Sequence, residues 1–277
     1  MSDYYQKVVD TTEYLSHRIS ETPQVAIVLG SGLGSIQSRM NVADRIPYAE
    51  IPNFPDATVK GHAGELVVGS LRGIPVVAQS GRYHYYEGYD MKTVTFPIRV
   101  FKLLGVNTVL IASAVGGIHE DYVAGDVTIV NDHINLFGDN PLRGPNDDRF
   151  GPRFPDMSEA YSRKLIEICH SIAEERDIRL FDSVYAGLQG PNLETKSEYD
   201  YLHRIGATVV GMSTVPEVIV ARHMDMQVCV LTAVTNKCFP IEDIGEVSHD
   251  DVIKVATNAG DKMSIIFEEL IEKVASD

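Results

Sequence analysis

The chain alternates between short apolar runs and segments in which apolar residues recur at helical spacing. The apolar runs are rich in valine, isoleucine and alanine, and most of them are continuously apolar rather than alternating. Continuous runs of this kind are typical of strands that are covered on both faces of a sheet. They predict strands at 24–29, 65–70, 75–80, 108–114, 126–130, 183–188, 207–212 and 227–234.

Helical spacing separates several of these runs and occupies both ends of the chain. Val8, Leu15 and Ile19 predict an amphipathic N-terminal helix, and a spacing of four and three residues runs from Val252 to Leu270. This alternation predicts an α/β fold, a single domain over 1–277 with a central mixed, largely buried β-sheet surrounded by helices. Capping boxes and apolar spacing predict further helices at 91–104, at 158–175, from 196 and from 215.

Composition and charge exclude several classes of protein. The net charge of −15 argues against a surface for nucleic acid or an anionic membrane, because both attract basic patches. No apolar run approaches the ~20 residues of a membrane helix, and the N-terminus lacks the apolar core of a signal peptide. The three cysteines are not spaced for disulfides or zinc. We therefore expect a cytoplasmic protein with no bound metal.

A glycine-rich loop, LGSGLGS, follows the first predicted strand. Gly30, Gly32 and Gly34 at such a strand-to-helix turn are typical of phosphate binding. However, Ser35 stands where a dinucleotide fingerprint has its third glycine, and no Gly-Lys-Ser/Thr follows as in a P-loop. The loop alone leaves open a dinucleotide, a free phosphate ion and a purely structural turn.

The segment SGRYHYYEGY, at 80–89, offers donors to an anion directly after a predicted strand. The Arg82 guanidinium is a planar fork that suits phosphate, and His84 can be a second donor. A metal site with His84 and Glu87 is a less favoured alternative, because no partner shows zinc-like ligand spacing. A loop that only packs its tyrosines is the structural alternative.

Two other segments can contribute to the same site. Ser213 precedes a capped helix, whose first N–H groups can bind an anion. His62 lies between two glycines in GHAGE and is either a surface residue or a mobile residue that faces a ligand. Both segments therefore add donors for an anion but do not identify it.

Polar residues that can bind a ligand through hydrogen bonds follow two other strands. Glu194 lies just before the capping box that begins at Thr195, at an edge where open α/β sheets bind ligands. The alternative role for Glu194 is a favourable charge near a helix N-terminus. Asn236 follows strand 227–234 and carries both a donor and an acceptor, although asparagine is also common in turns.

In their order along the chain, these segments resemble the trimeric purine nucleoside phosphorylases. The resemblance covers about residues 24–255 and rests on LGSGLG, GHAGELV, GRYHYYEGY, NPLRGPND, GPNLET, GMSTVPEVIVARH and TNK. It implies a phosphorylase-like fold and the reversible phosphorolysis of inosine, guanosine and their deoxy forms, in purine salvage. Inorganic phosphate would be the co-substrate, no cofactor would be needed, and the protein would be a homotrimer.

The resemblance also implies roles for individual residues. Phosphate would be bound by Ser31, His62, Arg82, His84, Ser213 and the backbone N–H of Ala114. The ribose would be bordered by Tyr86, Met212 and His249. The purine would be bound by Glu194 and Asn236, in a pocket lined by Tyr185, Leu193 and Val210. The catalytic residues would be Asn236, Glu194 and His84, and Phe150 would reach the site of the neighbouring subunit.

Two positions depart from the family pattern. Leu193 stands where many relatives have phenylalanine, and Ser113 stands where the family often has asparagine. The rival interpretations are an NAD-dependent oxidoreductase, a nucleoside hydrolase and a non-catalytic purine-binding protein. The oxidoreductase would use the glycine loop but neither Glu194 nor Asn236, and the hydrolase would need an acidic cluster that is not found.

Overall fold

The computed structural model describes residues 2–55, 63–246 and 248–275. The strands of the described residues are β1 (Val25–Leu29), β2 (Asn41–Pro47), β3 (Glu65–Leu71), β4 (Ile74–Ser80), β5 (Thr108–Gly117), β6 (Val127–Asn135), β7 (Leu180–Gly187), β8 (Val209–Gly211) and β9 (Gln227–Lys237). The helices are α1 (Ser2–Arg18), α2 (Met91–Val94), α3 (Phe96–Leu103), α4 (Arg163–Glu175), α5 (Lys196–Arg204), α6 (Val215–His223) and α7 (His249–Ala275).

The strands form one mixed sheet in the order β2-β3-β4-β1-β5-β8-β7-β6-β9. Strand β1 runs parallel to both β4 and β5, whereas β3 is antiparallel to β4 and to β2. Strand β9 pairs with β6 and also runs parallel to β5, so that β5 to β9 form a closed ring of pairings. The carboxyl ends of β1, β4, β5 and β9 therefore meet at one edge of the sheet.

Helices cover the sheet on both sides. One large apolar cluster contains α1, α3 and α6, and a second contains α4 and α7. All five residues of β1 are buried, as expected for a strand that is covered on both faces. The prediction of an α/β fold with a central mixed sheet surrounded by helices is confirmed. No helix of the described residues is long and apolar enough to cross a membrane.

Each predicted strand and helix is present, but several of their boundaries differ from the prediction. Strand β2 was not predicted, because it lies at the sheet edge, its apolar residues are interrupted by Asp44 and Arg45, and only Ile46 is buried. Helix α4 begins at Arg163 rather than at 158, because the Ser158 N–H donates to the Asp156 carboxylate and Ser162 is the N-cap. The predicted helix 91–104 is divided at Thr95 into α2 and α3.

Candidate active site

A cavity of about 600 Å³ opens at the sheet edge where the carboxyl ends of β1, β4, β5 and β9 meet. It brings together residues from seven separate segments of the chain. The predicted site residues that line it are Ser31, Arg82, His84, Tyr86, Ala114, Leu193, Glu194, Val210, Met212, Ser213 and Asn236.

The glycine loop after β1 forms part of one end of the cavity. Gly32 has a φ of 76°, a conformation that glycine adopts without strain. A Cβ at Gly32 would lie 2.9 Å from the Ile253 carbonyl oxygen of α7, so the loop packs closely on that helix. This packing leaves Ser31 at the cavity wall.

Arg82 lies at the same end of the cavity and is almost completely buried, with 1% of its surface exposed. Its Nη1 donates to Ser213 Oγ at 2.7 Å and to Thr214 Oγ1 at 3.2 Å, and its Nε lies 3.1 Å from Glu217 Oε1. Within the described residues, Arg82 Nη2 has no hydrogen-bond partner. A buried donor of this kind is costly unless an acceptor binds to it. This end of the cavity therefore suits an anion.

The turn that leads into α6 holds Ser213 in place. Thr214 has a φ of 71°, which is strained for a residue with a branched side chain. Its N–H donates to Glu217 Oε2 at 2.8 Å, so Glu217 stabilises both the turn and Arg82. Ser213 Oγ also lies 3.3 Å from Ser113 Oγ. Ser113 therefore lines the anion end, a position that the sequence pattern did not assign to it.

His84 and Tyr86 form the wall next to Arg82. His84 Nδ1 lies 2.9 Å from Glu87 Oε1, and the same oxygen accepts from the His84 backbone N–H at 2.7 Å. These contacts fix the orientation of the imidazole. The Tyr86 ring stacks on it with the ring centroids 4.7 Å apart. Burial raises the pKa of Tyr86 to about 12, so its hydroxyl stays protonated.

Glu194 lines the same cavity, just before α5. The capping box predicted there is present, since the Thr195 N–H donates to Glu198 Oε2 at 2.6 Å and the Glu198 N–H donates to Thr195 Oγ1. This box fixes the backbone immediately after Glu194. Burial raises the pKa of Glu194, and a hydrogen bond with the Tyr199 side chain acts in the opposite direction.

Asn236 lies near the end of β9 with both ends of its carboxamide engaged. Its Oδ1 accepts from Thr235 Oγ1 at 3.0 Å, and its Nδ2 donates to Cys238 Sγ at 3.0 Å. Asn236 and Glu194 thus present an amide and a carboxylate to one cavity. This pair can recognise a ring edge that carries both an acceptor and a donor.

Tyr185 does not line the cavity. It is fully buried in the main core, and its hydroxyl has no partner within the described residues. Tyr199 of α5 lines the cavity instead. The sequence contained a signal for Tyr199, because it stands one turn into a capped helix that begins beside Glu194.

Phe150 is packed within its own chain. Its ring lies 5.1 Å from the Tyr5 ring and 4.3 Å from the Arg99 guanidinium carbon, and only 5% of it is exposed. It is therefore not available to a neighbouring subunit, contrary to the expectation. Phe154, four residues later, is 86% exposed and is the aromatic ring that this loop presents to its surroundings.

The side chains of two further predicted residues lie outside what the structure describes. His62 lies outside the described residues. His249 is the first residue of α7, directly after Ser248, which lines the cavity. In the described part of the chain, no group of three histidine, cysteine or acidic residues is arranged to hold a metal ion.

Comparison with known proteins identifies the family. A model of the phosphorylase superfamily matches residues 24–272. The chain is 45% identical to purine nucleoside phosphorylase of Bos taurus, covering 94% of this chain and 92% of that protein. It is 46% identical to purine nucleoside phosphorylase 1 of Geobacillus stearothermophilus, covering 89% and 90%.

Solved structures agree with this assignment. Isoform 2 of purine nucleoside phosphorylase from Schistosoma mansoni, in complex with cytosine and ribose-1-phosphate, superimposes with a TM-score of 0.92 at 41% identity, covering 96% of each chain. A Schistosoma mansoni purine nucleoside phosphorylase in complex with hypoxanthine superimposes with a TM-score of 0.90 at 39% identity, covering 97% of each chain. The chain therefore belongs to the purine nucleoside phosphorylases of the phosphorylase superfamily.

Proposed function

We propose that this chain catalyses the reversible phosphorolysis of 6-oxopurine nucleosides, including inosine, guanosine and their deoxy forms, in purine salvage. The products are the free purine and ribose or deoxyribose 1-phosphate. The observation that carries the proposal is that one cavity holds buried anion donors around Arg82 together with the Glu194 and Asn236 pair. The complexes of the Schistosoma mansoni relatives with ribose-1-phosphate and with hypoxanthine support it.

Inorganic phosphate is the nucleophile and binds at the anion end. Arg82, Ser213, Ser31 and the Ala114 N–H supply its donors, and His84 is held beside them by Glu87. As the bond between C1′ and N9 breaks, positive charge develops on the sugar. The phosphate dianion stabilises this charge and then forms the new bond to C1′. No covalent bond to the enzyme and no cofactor is required.

The electron pair of the broken bond passes to the purine, so the base needs donors in the transition state. The Asn236 carboxamide bonds the base at N7 and O6, and the N–H that is not donated to Cys238 Sγ is the donor to the developing charge. Glu194 accepts the N1–H of the same ring. Tyr86 and Met212 border the ribose between the two ends, and His249 reaches its 5′-hydroxyl.

Base selectivity follows from the same pair of side chains. A 6-oxopurine presents an acceptor at O6 and a donor at N1, which match Asn236 and Glu194. Adenine presents the reverse pattern and leaves two buried polar groups unpaired. We expect kcat/KM for inosine to exceed that for adenosine by at least about 100-fold. Equal values, measured by release of the base at saturating phosphate, would contradict the assignment of the pair.

The affinity for hypoxanthine should depend on the protonation of Glu194. The carboxylate must be ionised to accept N1–H, and burial raises its pKa, so binding weakens as the pH falls through that raised pKa. The loss begins at a higher pH than for an ordinary glutamate. Titration calorimetry with hypoxanthine between pH 5 and pH 8, without phosphate, measures it.

Two variants separate Glu194 from other titrating groups. Glu194→Gln should bind hypoxanthine weakly and with little dependence on pH over this range. Glu120→Gln, at an exposed position outside the cavity lining, should keep the wild-type profile. If the affinity of Glu194→Gln for hypoxanthine fell at low pH as it does in the wild type, the titrating group would be a different residue.

We further propose a cytoplasmic homotrimer in which Phe154, rather than Phe150, contacts a neighbouring subunit. In support of this, Phe154 is 86% exposed, and a partner that covers it would bury its large apolar ring. It lies in the long segment between β6 and α4, where it lines a second cavity with His133, Arg153 and Met157. The cytoplasmic location is supported by the three cysteines, which are all free, as is usual in a reducing compartment.

A further inference from the structure

The carboxamide of Asn236 forms a hydrogen bond with the side chain of Cys238. Asn236 lines the cavity, whereas Cys238 is fully buried and does not line it. The Asn236 Nδ2 donates to Cys238 Sγ at 3.0 Å. The Thr235 hydroxyl lies 3.0 Å from Asn236 Oδ1 and 3.1 Å from the Val115 carbonyl oxygen and shares its one proton between them. We propose that Cys238 is a positioning residue for phosphorolysis, because its sulfur binds one N–H of Asn236 and directs the other towards the purine. This inference rests on the proposed role of Asn236.

The chemistry of a primary amide explains why one partner is needed on each side. The terminal torsion of asparagine has broad minima, so an unrestrained carboxamide samples many orientations. Its nitrogen carries two N–H groups, and Cys238 can take only one of them at this edge. With Thr235 at the oxygen and Cys238 at the nitrogen, the amide plane is fixed before substrate binds. A donor that is oriented in advance stabilises the transition state without reorganisation.

The sulfur itself has little freedom to move. A Cβ at Gly116 of β5 would lie 2.7 Å from Cys238 Sγ, so the sulfur packs directly against that backbone. On its other sides, Cys238 belongs to an apolar cluster with Ile118, Val210 and Leu202. Burial raises the pKa of Cys238 to about 11, so the thiol stays neutral beside the base. A fixed, neutral acceptor suits the positioning of a neutral amide.

Cys238 also belongs to the same apolar cluster as Tyr199, which lines the cavity together with Asn236 and Glu194. Burial raises the pKa of the Tyr199 hydroxyl, and the Cys238 thiol and the Glu194 carboxylate both add to that rise. Alternatively, Cys238 is only a small apolar residue of the core. In that case activity would not depend on the hydrogen bond that its sulfur accepts.

The test compares Cys238→Ala, which removes the acceptor, with Cys238→Ser, which keeps an acceptor of similar size. We expect kcat for inosine to fall about tenfold in Cys238→Ala, and the KM for phosphate to stay unchanged. Cys238→Ser should keep kcat within about threefold of wild type. Cys169→Ala is the matched control, because Cys169 is equally buried, its sulfur lies 3.7 Å from Cys229 Sγ, and it does not line the cavity.

A second substrate separates positioning from packing in the same protein sample. 7-Methylguanosine has no lone pair at N7 and already carries the positive charge that a donor would supply. Cys238→Ala should therefore turn it over within about twofold of wild type, which also shows that the variant is folded. An equal loss on both substrates, full inosine activity in Cys238→Ala, or a Cys238→Ser as slow as Cys238→Ala would overturn the proposal. Asn236→Ala, assayed in parallel, tells whether the proposed role of Asn236 fails instead.

Discussion

Replacing Asn236 with alanine is expected to lower kcat for inosine phosphorolysis about 10²–10³-fold. The variant loses the donors that stabilise negative charge on the departing purine, and this charge develops only in the transition state. In the proposed site, phosphate binds around Arg82 and Ser213 rather than at Asn236, so its KM should change little. Steady-state kinetics with inosine and phosphate varied separately would measure both quantities.

The control for this experiment is Asn107→Ala. Asn107 is exposed and its side chain accepts a hydrogen bond from Lys102 on the surface, away from the cavity lining. It should behave as wild type in both parameters. If Asn236→Ala kept wild-type turnover, Asn236 would not be the group that activates the leaving base.

The second large effect is expected when Arg82 is replaced with alanine. This change should weaken phosphate binding and also lower the free energy of unfolding. Arg82 is the buried cation of the anion end, and its guanidinium pairs with Glu217, of which only 2% is exposed. Its removal should raise the KM for phosphate at least about 100-fold, since charge-assisted bonds to an anion are strong. It also leaves Glu217 buried without its partner, which should cost about 3–5 kcal/mol of unfolding free energy.

A double variant separates these two effects. Arg82→Met with Glu217→Gln removes both charges and keeps the volume of the pair, so it should recover most of the stability in urea unfolding. It should not recover phosphate affinity, because no cation returns to the site. Recovery of phosphate binding in the double variant would show that Arg82 acts through the fold rather than on the anion.

Local sequence patterns predicted the elements that build the site. Continuous apolar runs identified buried strands, and the capping box at Thr195 and Glu198 located the start of α5. Such signals are local, because strand burial and helix caps depend on residues a few positions apart. Strand β2 was not predicted because an edge strand that is largely exposed carries no continuous apolar run.

The wrong predictions for the site concern residues whose surroundings are formed by distant parts of the chain. Tyr185 is part of β7 and Tyr199 is part of α5. Only the packing of these elements determines that Tyr185 lies in the core and that Tyr199 faces the cavity. Phe150 and Phe154 lie in one loop, and contacts with Tyr5 of α1 bury the first. No pattern within the loop reports these contacts.

The glycine loop shows how geometry resolves an ambiguous motif. Taken alone, LGSGLGS resembled a dinucleotide fingerprint that lacks its third glycine. In the structure, Ser31 shares a cavity with Arg82 and Ser213, and the loop packs against Ile253 of α7. The ligand that we propose there, a single phosphate ion that is a substrate, needs no further glycine at this turn.

The dependence of base release on phosphate tests the central claim most directly. The protein is incubated with inosine, with and without inorganic phosphate, and hypoxanthine and ribose 1-phosphate are measured. We predict that both products form in equal amounts and only when phosphate is present. Hypoxanthine release without phosphate would indicate a hydrolase, and no release under either condition would contradict phosphorolysis by this cavity.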